Sequence, residues 1–407
     1  MNKKLFGGKP IDSGTYGCVF KPALSCKRRK RKKGVSKLML TNYAMKEMKL
    51  LQPIYHLMEK YPDIKSHIII PSTSYCTPSK LSSDDLNNFN ITCSKLNDIG
   101  FNDNTINQRL HELKLLHMED GGITVGDYIL TMKRRQEHHI YKGIANIFKY
   151  AITPMNQHGI IHCDIKDNNI LIKHNSMKLI DFGLVVIHDE STIDGAFFNG
   201  YFSMYHPFTV ILFNNSIDFQ WHLFFQKYKH LPKDEFIHKC TLYCKAIISG
   251  YKESNQISEH RLDNESYIKL ICQLLFPNTD FLTILCKQLA YCYYNYKDNT
   301  TGHFNQLNYY NQEFIYTIDI WGLCTILVTL LIKFHNSYHP DFHKIKTIVI
   351  KYMFNTHQDP YPIDDFYDDL IKLYNETKSR RSTRRSTRRS TRRSKEKSST
   401  RKRSKKT

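Results

Sequence analysis

The sequence predicts an α+β protein in two parts: a small β-rich N-terminal part, and a larger, mainly helical part carrying a long insertion. A disordered basic tail follows. Three observations predict this. Short β-type runs at Val19-Phe20, Val35 to Met39 and Leu113 to Met118 fall within the first 118 residues, around one helical stretch. Beyond Gly122 the apolar spacing is mostly helical, most clearly over His138 to His158 and Ile318 to Phe334. From Ser379 to Thr407 the chain contains only Ser, Thr, Arg, Lys and Glu396, so it has nothing to bury and repels itself.

In chain order, Val19-Phe20 and Val35 to Met39 flank seven consecutive basic residues, Lys27 to Lys33, as a hairpin with an enlarged loop would. Tyr43 to Met58 then places Met48, Leu51, Ile54, Tyr55 and Met58 at helical spacing, and Pro53 should end or kink that helix. Ser72 to Asn107 is polar and rich in Asn, Ser and Asp, which reads as an inserted loop. Leu113 to Met118 is a strand stopped by Gly121-Gly122, and Phe219 to Tyr296 is helical with many aromatics. The expected domains are therefore residues 1–118, residues 119–378 with an insertion at about 214–314, and the tail 379–407.

The net charge of +21 suggests a nucleic-acid binder until it is located. The tail carries +14 and Lys27 to Lys33 carries seven more, which leaves the rest of the chain neutral. That argues against a basic nucleic-acid surface on the folded body. In the tail, Arg-Arg-Ser-Thr recurs from Arg380 to Thr391 with a partial copy to Ser394. The repeat admits contact with polyanions such as nucleic acid, a targeting address, a set of phosphoacceptors, or simple solubilisation. The most apolar stretch, Trp321 to Ile332, is too short for a membrane span and reads as a buried helix. No apolar leader follows Met1, and eleven cysteines are scattered without a framework. Both predict an unsecreted chain in a reducing intracellular compartment, with free thiols. His238, Cys240 and Cys244 lie at helical intervals without a fourth ligand and read as packing residues, not a metal site.

The strongest local signal runs from Ile161 through His162, Cys163, Asp164, Ile165, Lys166, Asp167, Asn168 and Asn169 to Ile170 and Leu171, with Asp181-Phe182-Gly183 twelve residues after Asn169. The pair resembles the catalytic loop and metal-binding motif of eukaryotic-type protein kinases, H-R-D-x-K-x-x-N followed by D-F-G. The resemblance implies a two-lobed protein-kinase-like fold and phosphoryl transfer from ATP with Mg²⁺ to Ser/Thr hydroxyls of protein substrates. Such chemistry needs in-line placement of a hydroxyl and neutralisation of phosphate charge. Asp164 would orient the hydroxyl and take its proton, and Lys166 would sit against the transferring phosphate. Asn169 and Asp181 offer hard oxygen ligands suited to Mg²⁺.

Upstream, Ser13-Gly14-Thr15-Tyr16-Gly17-Cys18-Val19 resembles the kinase glycine-rich loop, with Asp12 where the family has its first glycine. The resemblance implies nucleotide contacts from Ile11, Asp12 and this run, and from Leu171 below the base. It also puts Lys37 at the strand lysine position, paired with Glu47 in the helix. Glu47 has a rival reading as a surface helix residue. By order along the chain, Glu119 and Asp120 would form the adenine hinge, and Asp319-Ile320-Trp321-Gly322 resembles the D-x-W segment of the large lobe. Cys163 stands where many kinases have the arginine that pairs with a phosphorylated activation loop. No A-P-E is recognisable, and His206-Pro207-Phe208 is the nearest segment. The combination G-T-Y-G-C-V-F-x-P with the long insertion most resembles the divergent Ser/Thr kinases of large nucleocytoplasmic DNA viruses. A pseudokinase scaffold is the rival class.

Overall fold

The structure is a computed structural model describing residues 8–14, 17–27, 33–133, 136–198, 205–213, 215–253, 263–335, 338–354 and 363–380. The expected disorder of the tail falls outside these, apart from residues 379 and 380, and so does most of the basic run at 27–33. The fold is mixed α/β, with a small antiparallel sheet and many helices. It divides into two compact units. The first takes Met1–Thr124, Tyr150–Asp164 and Asn169–His188; the second takes Val125–Lys149, Ile165–Asn168 and Asp189–Thr407.

The first unit is organised by a five-stranded sheet of β1 (Lys9–Gly14), β2 (Gly17–Lys21), β3 (Val35–Leu40), β4 (Tyr75–Cys76) and β5 (Leu113–Met118), in the order β1-β2-β3-β5-β4. β2 and β3 pair antiparallel across the basic run, as their flanking positions predicted. The helical stretch breaks into α1 (Thr41–Leu50) and α2 (Gln52–Lys60), with Pro53 in the first turn of α2, where the absent N–H is tolerated. Residues 72–107 differ from the expected polar loop. They contribute β4 and the short helices Phe89–Thr92 and Ser94–Asp98, and they bury Phe89, Cys93, Leu96, Phe101 and Ile106 against Phe20, Leu38 and Leu115. Those apolar residues are too widely spaced to show a period, yet each reaches the same core.

Four of the eleven cysteines form disulfides, which corrects the expectation of free thiols. Cys18 joins Cys93 and Cys26 joins Cys76, while the other seven are buried thiols. The paired positions are 75 and 50 residues apart in sequence and become neighbours only when the sheet forms.

Further strands of the same unit are β6 (Ile123–Thr124), β7 (Ile160–Ile161), β8 (Ile170–Lys173), β9 (Ser176–Leu179) and β10 (Val186–Ile187), in a β6-β8-β9 sheet and a β7-β10 pair. The backbone of residues 67–69 clamps Leu179: Ile69 N donates to Leu179 O and Leu179 N donates to His67 O, both at 2.8 Å. This ties the segment before Asp181 to the segment after α2. Between β5 and β6, the Asp120 carboxylate accepts from Lys21 Nζ at 2.8 Å, Lys173 Nζ at 2.9 Å and Gly122 N at 3.1 Å. Gly122 has φ +98°, and a Cβ there would lie 2.2 Å from Ile172 O, so only glycine fits the turn. Burial pushes the Asp120 carboxyl up, but the two ammonium groups and the amide outweigh it and hold it at about 2.

The second unit is helical. Its core helix, Ile315–Phe334, completes a continuous helical span that starts at Gln306. Gln306–Phe334 is long and apolar enough by length and composition to cross a bilayer, which the shorter Trp321 to Ile332 run did not suggest. Of its most apolar window, 83% is buried inside the protein, which accounts for its composition as a core helix. Asn215–Tyr228, Lys233–Glu253, Asp263–Leu275 and Phe281–Tyr296 fill most of the expected insertion, and Trp221 stacks on Tyr293 at 4.4 Å. A last helix spans residues 365–380. Fully buried Asp341 holds its end, accepting from Thr377 Oγ1 at 2.9 Å and pairing with Arg380.

Two stability tests follow from these contacts. A Cβ on Gly322 would lie 2.5 Å from Ile165 O, against backbone that cannot rotate away. Gly322→Ala should destabilise by about 1–3 kcal/mol in urea unfolding; an unchanged midpoint would refute the contact. Asp120→Asn should cost up to about 1 kcal/mol at pH 7, since its partners are partly exposed. The native carboxyl is depressed, so its contribution is complete above the ordinary carboxylate range, about 4, and fades as pH falls toward 2. The gap between wild type and Asp120→Asn should therefore narrow from pH 5 to pH 2.5.

Candidate active site

The segment between β7 and β8 is held by reciprocal hydrogen bonds to the segment that carries Asp181. Asn169 closes the short 3₁₀ turn Asp167–Asn169 and is buried. Its Nδ2 donates to both the backbone oxygen and Oδ2 of Asp164, each at 2.8 Å. These two bonds fix the amide plane and make Oδ1 the atom available for ligation. Ile180 N donates to Asn169 O at 2.9 Å, and Ile180 O accepts from His162 Nε2 at 3.1 Å. Asp164 N donates to His162 Nδ1 at 3.3 Å. The ring therefore accepts at Nδ1 and carries its proton on Nε2. Its edge meets the Phe182 ring at a centroid distance of 4.8 Å, with both side chains buried.

Cys163 and Asp181 adopt left-handed backbone, with φ 61° and 62°. Such conformations are uncommon outside glycine and concentrate where a fold must aim a side chain. Asp181 is exposed, whereas Cys163 is buried.

Lys37 Nζ and Glu47 Oε2 are 2.7 Å apart, each side chain 17% exposed, so Glu47 faces the sheet and not solvent. The β2–β3 register sets half-buried Val19 opposite Lys37. β1 and β2 close with Gly14 opposite Gly17, and a register shift lies between Pro10 and Asp12, at exposed Ile11. In place of the expected glycine, Asp12 Oδ1 accepts from Ser13 N at 2.8 Å. Thr15 and Tyr16 lie outside the described residues. Cys18 is fully buried and bound to Cys93, so its side chain belongs to the apolar core. Glu119 pairs with Lys178, and the Asp120 backbone oxygen accepts from Lys173 Nζ at 2.9 Å. Leu171 lies beneath Gly121, whose Cβ would come within 2.6 Å of it.

Lys166 falls in the second unit, with Nζ 5.4 Å from the centroid of the Tyr205 ring. Asp319 lies in the same unit, on the core helix, and is 1% exposed. Asp167, which the sequence reading assigned no role, is half-buried near Gly126 and accepts from Thr329 Oγ1 at 3.4 Å. Burial raises its carboxyl above the ordinary value. The structure thus joins Lys37 to Glu47 and Asp164 to Asn169. Through Ile180 it joins that loop to the segment preceding Asp181. Sequence reasoning missed Ile180, because a residue that acts through its peptide group leaves no side-chain signature.

The donor set fits a divalent cation of the hard class. Asn169 offers an amide oxygen and exposed Asp181 a carboxylate, while both ring nitrogens of nearby His162 are engaged by backbone groups. The alternative set fails: His238 is exposed while Cys240 and Cys244 are buried on the same helix, so they do not converge. Burial and the neighbouring Cys240 push the Cys244 thiol well up, as expected of packing residues.

A protein-family model described as Protein kinase domain matches residues 113–199, a stretch from β5 past Asp181-Phe182-Gly183. The glycine-rich run, Lys37 and Glu47 precede the matched stretch, and Asp319 follows it. No curated protein matches the chain, so the narrower viral resemblance rests on the motifs alone. The match and the ordered motifs around it support a eukaryotic-type protein kinase, and with it phosphoryl transfer to protein substrates.

Proposed function

We propose that the chain is a serine/threonine protein kinase that transfers the γ-phosphoryl group of ATP to protein hydroxyls. One observation carries the reading: Asn169 is held by two hydrogen bonds against Asp164, so the proposed base and the proposed metal ligand share one rigid loop. The formed Lys37–Glu47 pair supports it.

Asp164 orients the substrate hydroxyl and accepts its proton while the oxygen attacks the γ-phosphorus. The new O–P bond forms as the bond to the β-phosphate oxygen breaks, and ADP leaves. Lys37, fixed by Glu47, holds the α- and β-phosphates, and Lys166 neutralises charge on the moving phosphoryl group. Asn169 Oδ1 and the Asp181 carboxylate would hold Mg²⁺, which when bound supplies charge neutralisation across the phosphate oxygens. A lysine two residues after the aspartate favours Ser/Thr over Tyr specificity, because tyrosine kinases typically carry Ala or Arg near that part of the loop.

Purified chain with Mg·ATP should phosphorylate itself or a panel of basic proteins. Asp164→Asn should lower the rate by about 10²–10⁴. No transfer, with ATP binding retained, would replace this reading with that of a scaffold. A chain ending at Arg380, which keeps the pairing with Asp341, that loses only self-phosphorylation would identify the tail as the main acceptor. The buried Cys163 in place of arginine removes the usual partner of a phosphorylated activation loop. Phosphatase treatment should therefore leave activity within about twofold, an effect under ~0.5 kcal/mol, and loss of most of it would contradict this account of Cys163.

A further inference from the structure

Cys26, Cys76 and His117 converge from three segments of the first unit. Cys26 bridges to the chain at Pro78, Cys76 ends β4, and His117 lies on β5. One ligand atom from each lies within 4.8 Å of the others. His117 Nε2 is 3.1 Å from Cys26 Sγ and 3.8 Å from Cys76 Sγ. Around tetrahedral zinc, bonds of ~2.3 Å to sulfur and ~2.0 Å to nitrogen put those atoms roughly 3.6 Å apart. The two observed separations bracket that value.

The other disulfide shows what a purely structural pair looks like here. Cys18 and Cys93 are fully buried among Phe20, Phe89 and Leu96, and among the described residues they belong to no cluster of metal-ligating groups. Cys26–Cys76 is different: an imidazole nitrogen touches it, and Cys76 is only half-buried. In a second convergent set, Glu137, His339 and Asp341, each carboxylate already has a partner, Arg380 for Asp341 and His339 for Glu137.

We propose that Cys26, Cys76 and His117 form a Zn²⁺ site in the reduced chain, and that the Cys26–Cys76 disulfide is its closed, metal-free state. Opening it takes two electrons and two protons from a dithiol reductant, which becomes a disulfide while Cys26 and Cys76 become thiols. Zn²⁺ then displaces the two thiol protons and binds two thiolates and the imidazole. With the Cα atoms 5.8 Å apart, side-chain rotation lets the sulfurs separate around the ion. Water takes the fourth position on the half-buried Cys76 side. The ion would tie the segment ahead of the basic run to β4 and β5, as the disulfide does, so the sheet keeps its cross-link in either redox state.

The full chain, reduced and freed of reductant under argon, would be titrated with Co²⁺ as a spectroscopic stand-in and then with Zn²⁺. The proposal requires about one Co²⁺ per chain with thiolate-to-metal absorption, displaced by Zn²⁺, and none in the oxidised chain. Cys26→Ser and Cys76→Ser should abolish the absorption, and His117→Ala should weaken binding at least tenfold. A Cys18→Ser/Cys93→Ser chain should retain it. Should the variants fail to fold, wild type still decides: Zn²⁺ must protect Cys26 and Cys76 from alkylation, read by mass spectrometry. Absence of thiolate absorption in the reduced wild type, or alkylation unaffected by Zn²⁺, overturns the site.

Discussion

The peptide group of Ile180 is the constraint on which the candidate site depends. Its N–H donates to Asn169 and its oxygen accepts from His162, so the segment leading to Asp181 is fastened at both ends to the loop carrying Asp164. Backbone groups buried in this way need partners, and here the partners are the site itself. The same His162 ring accepts from Asp164 N, so one imidazole ties the orientation of the Asp164 backbone to that of the segment before Asp181. Two residues, Ile180 and His162, thereby set the local geometry around Asp164, Asn169 and the segment leading to Asp181.

β5 does comparable work for the sheet. It pairs with β3 over six residues and with β4 on its other edge, and it leads directly into the Glu119–Asp120 turn. Lys37 is opposite Leu116 in that register, so the Lys37–Glu47 pair is referenced to the strand that ends at the expected hinge. Asp120 then draws in Lys21 from β2 and Lys173 from β8, which locks the turn to two sheets through charge-assisted bonds.

Much of this was legible because it is local or because chemistry dictates residue types at fixed offsets. The β2–β3 hairpin and the helix break at Pro53 follow from short-range pattern. Asp164, Asn169 and Asp181 stand out by resemblance to the catalytic-loop and D-F-G motifs, and Lys37 with Glu47 by order along the chain; the structure brings Asp164 to Asn169 and Lys37 to Glu47. What escaped was long-range. Phe89 and Leu96 enter the core from helices of four and five residues, too short to display a period, and Phe101 enters from the loop that follows. Cys18–Cys93 and Cys26–Cys76 close over 75 and 50 residues, so spacing held no clue to either bond. His117 looked like one more residue of an apolar strand until folding set it beside two sulfurs.

The pairing of buried Asp341 with Arg380 changes how the basic tail is to be counted. The four-residue repeat begins at Arg380, yet that arginine has already found its carboxylate inside the fold. With its charge taken up by Asp341, it is not available to displace a condensed cation from a polyanion. Of the fifteen basic residues from Ser379 onward, this one is thus already committed to a carboxylate. The repeat as written in the sequence and the repeat as an electrostatic object therefore start one residue apart.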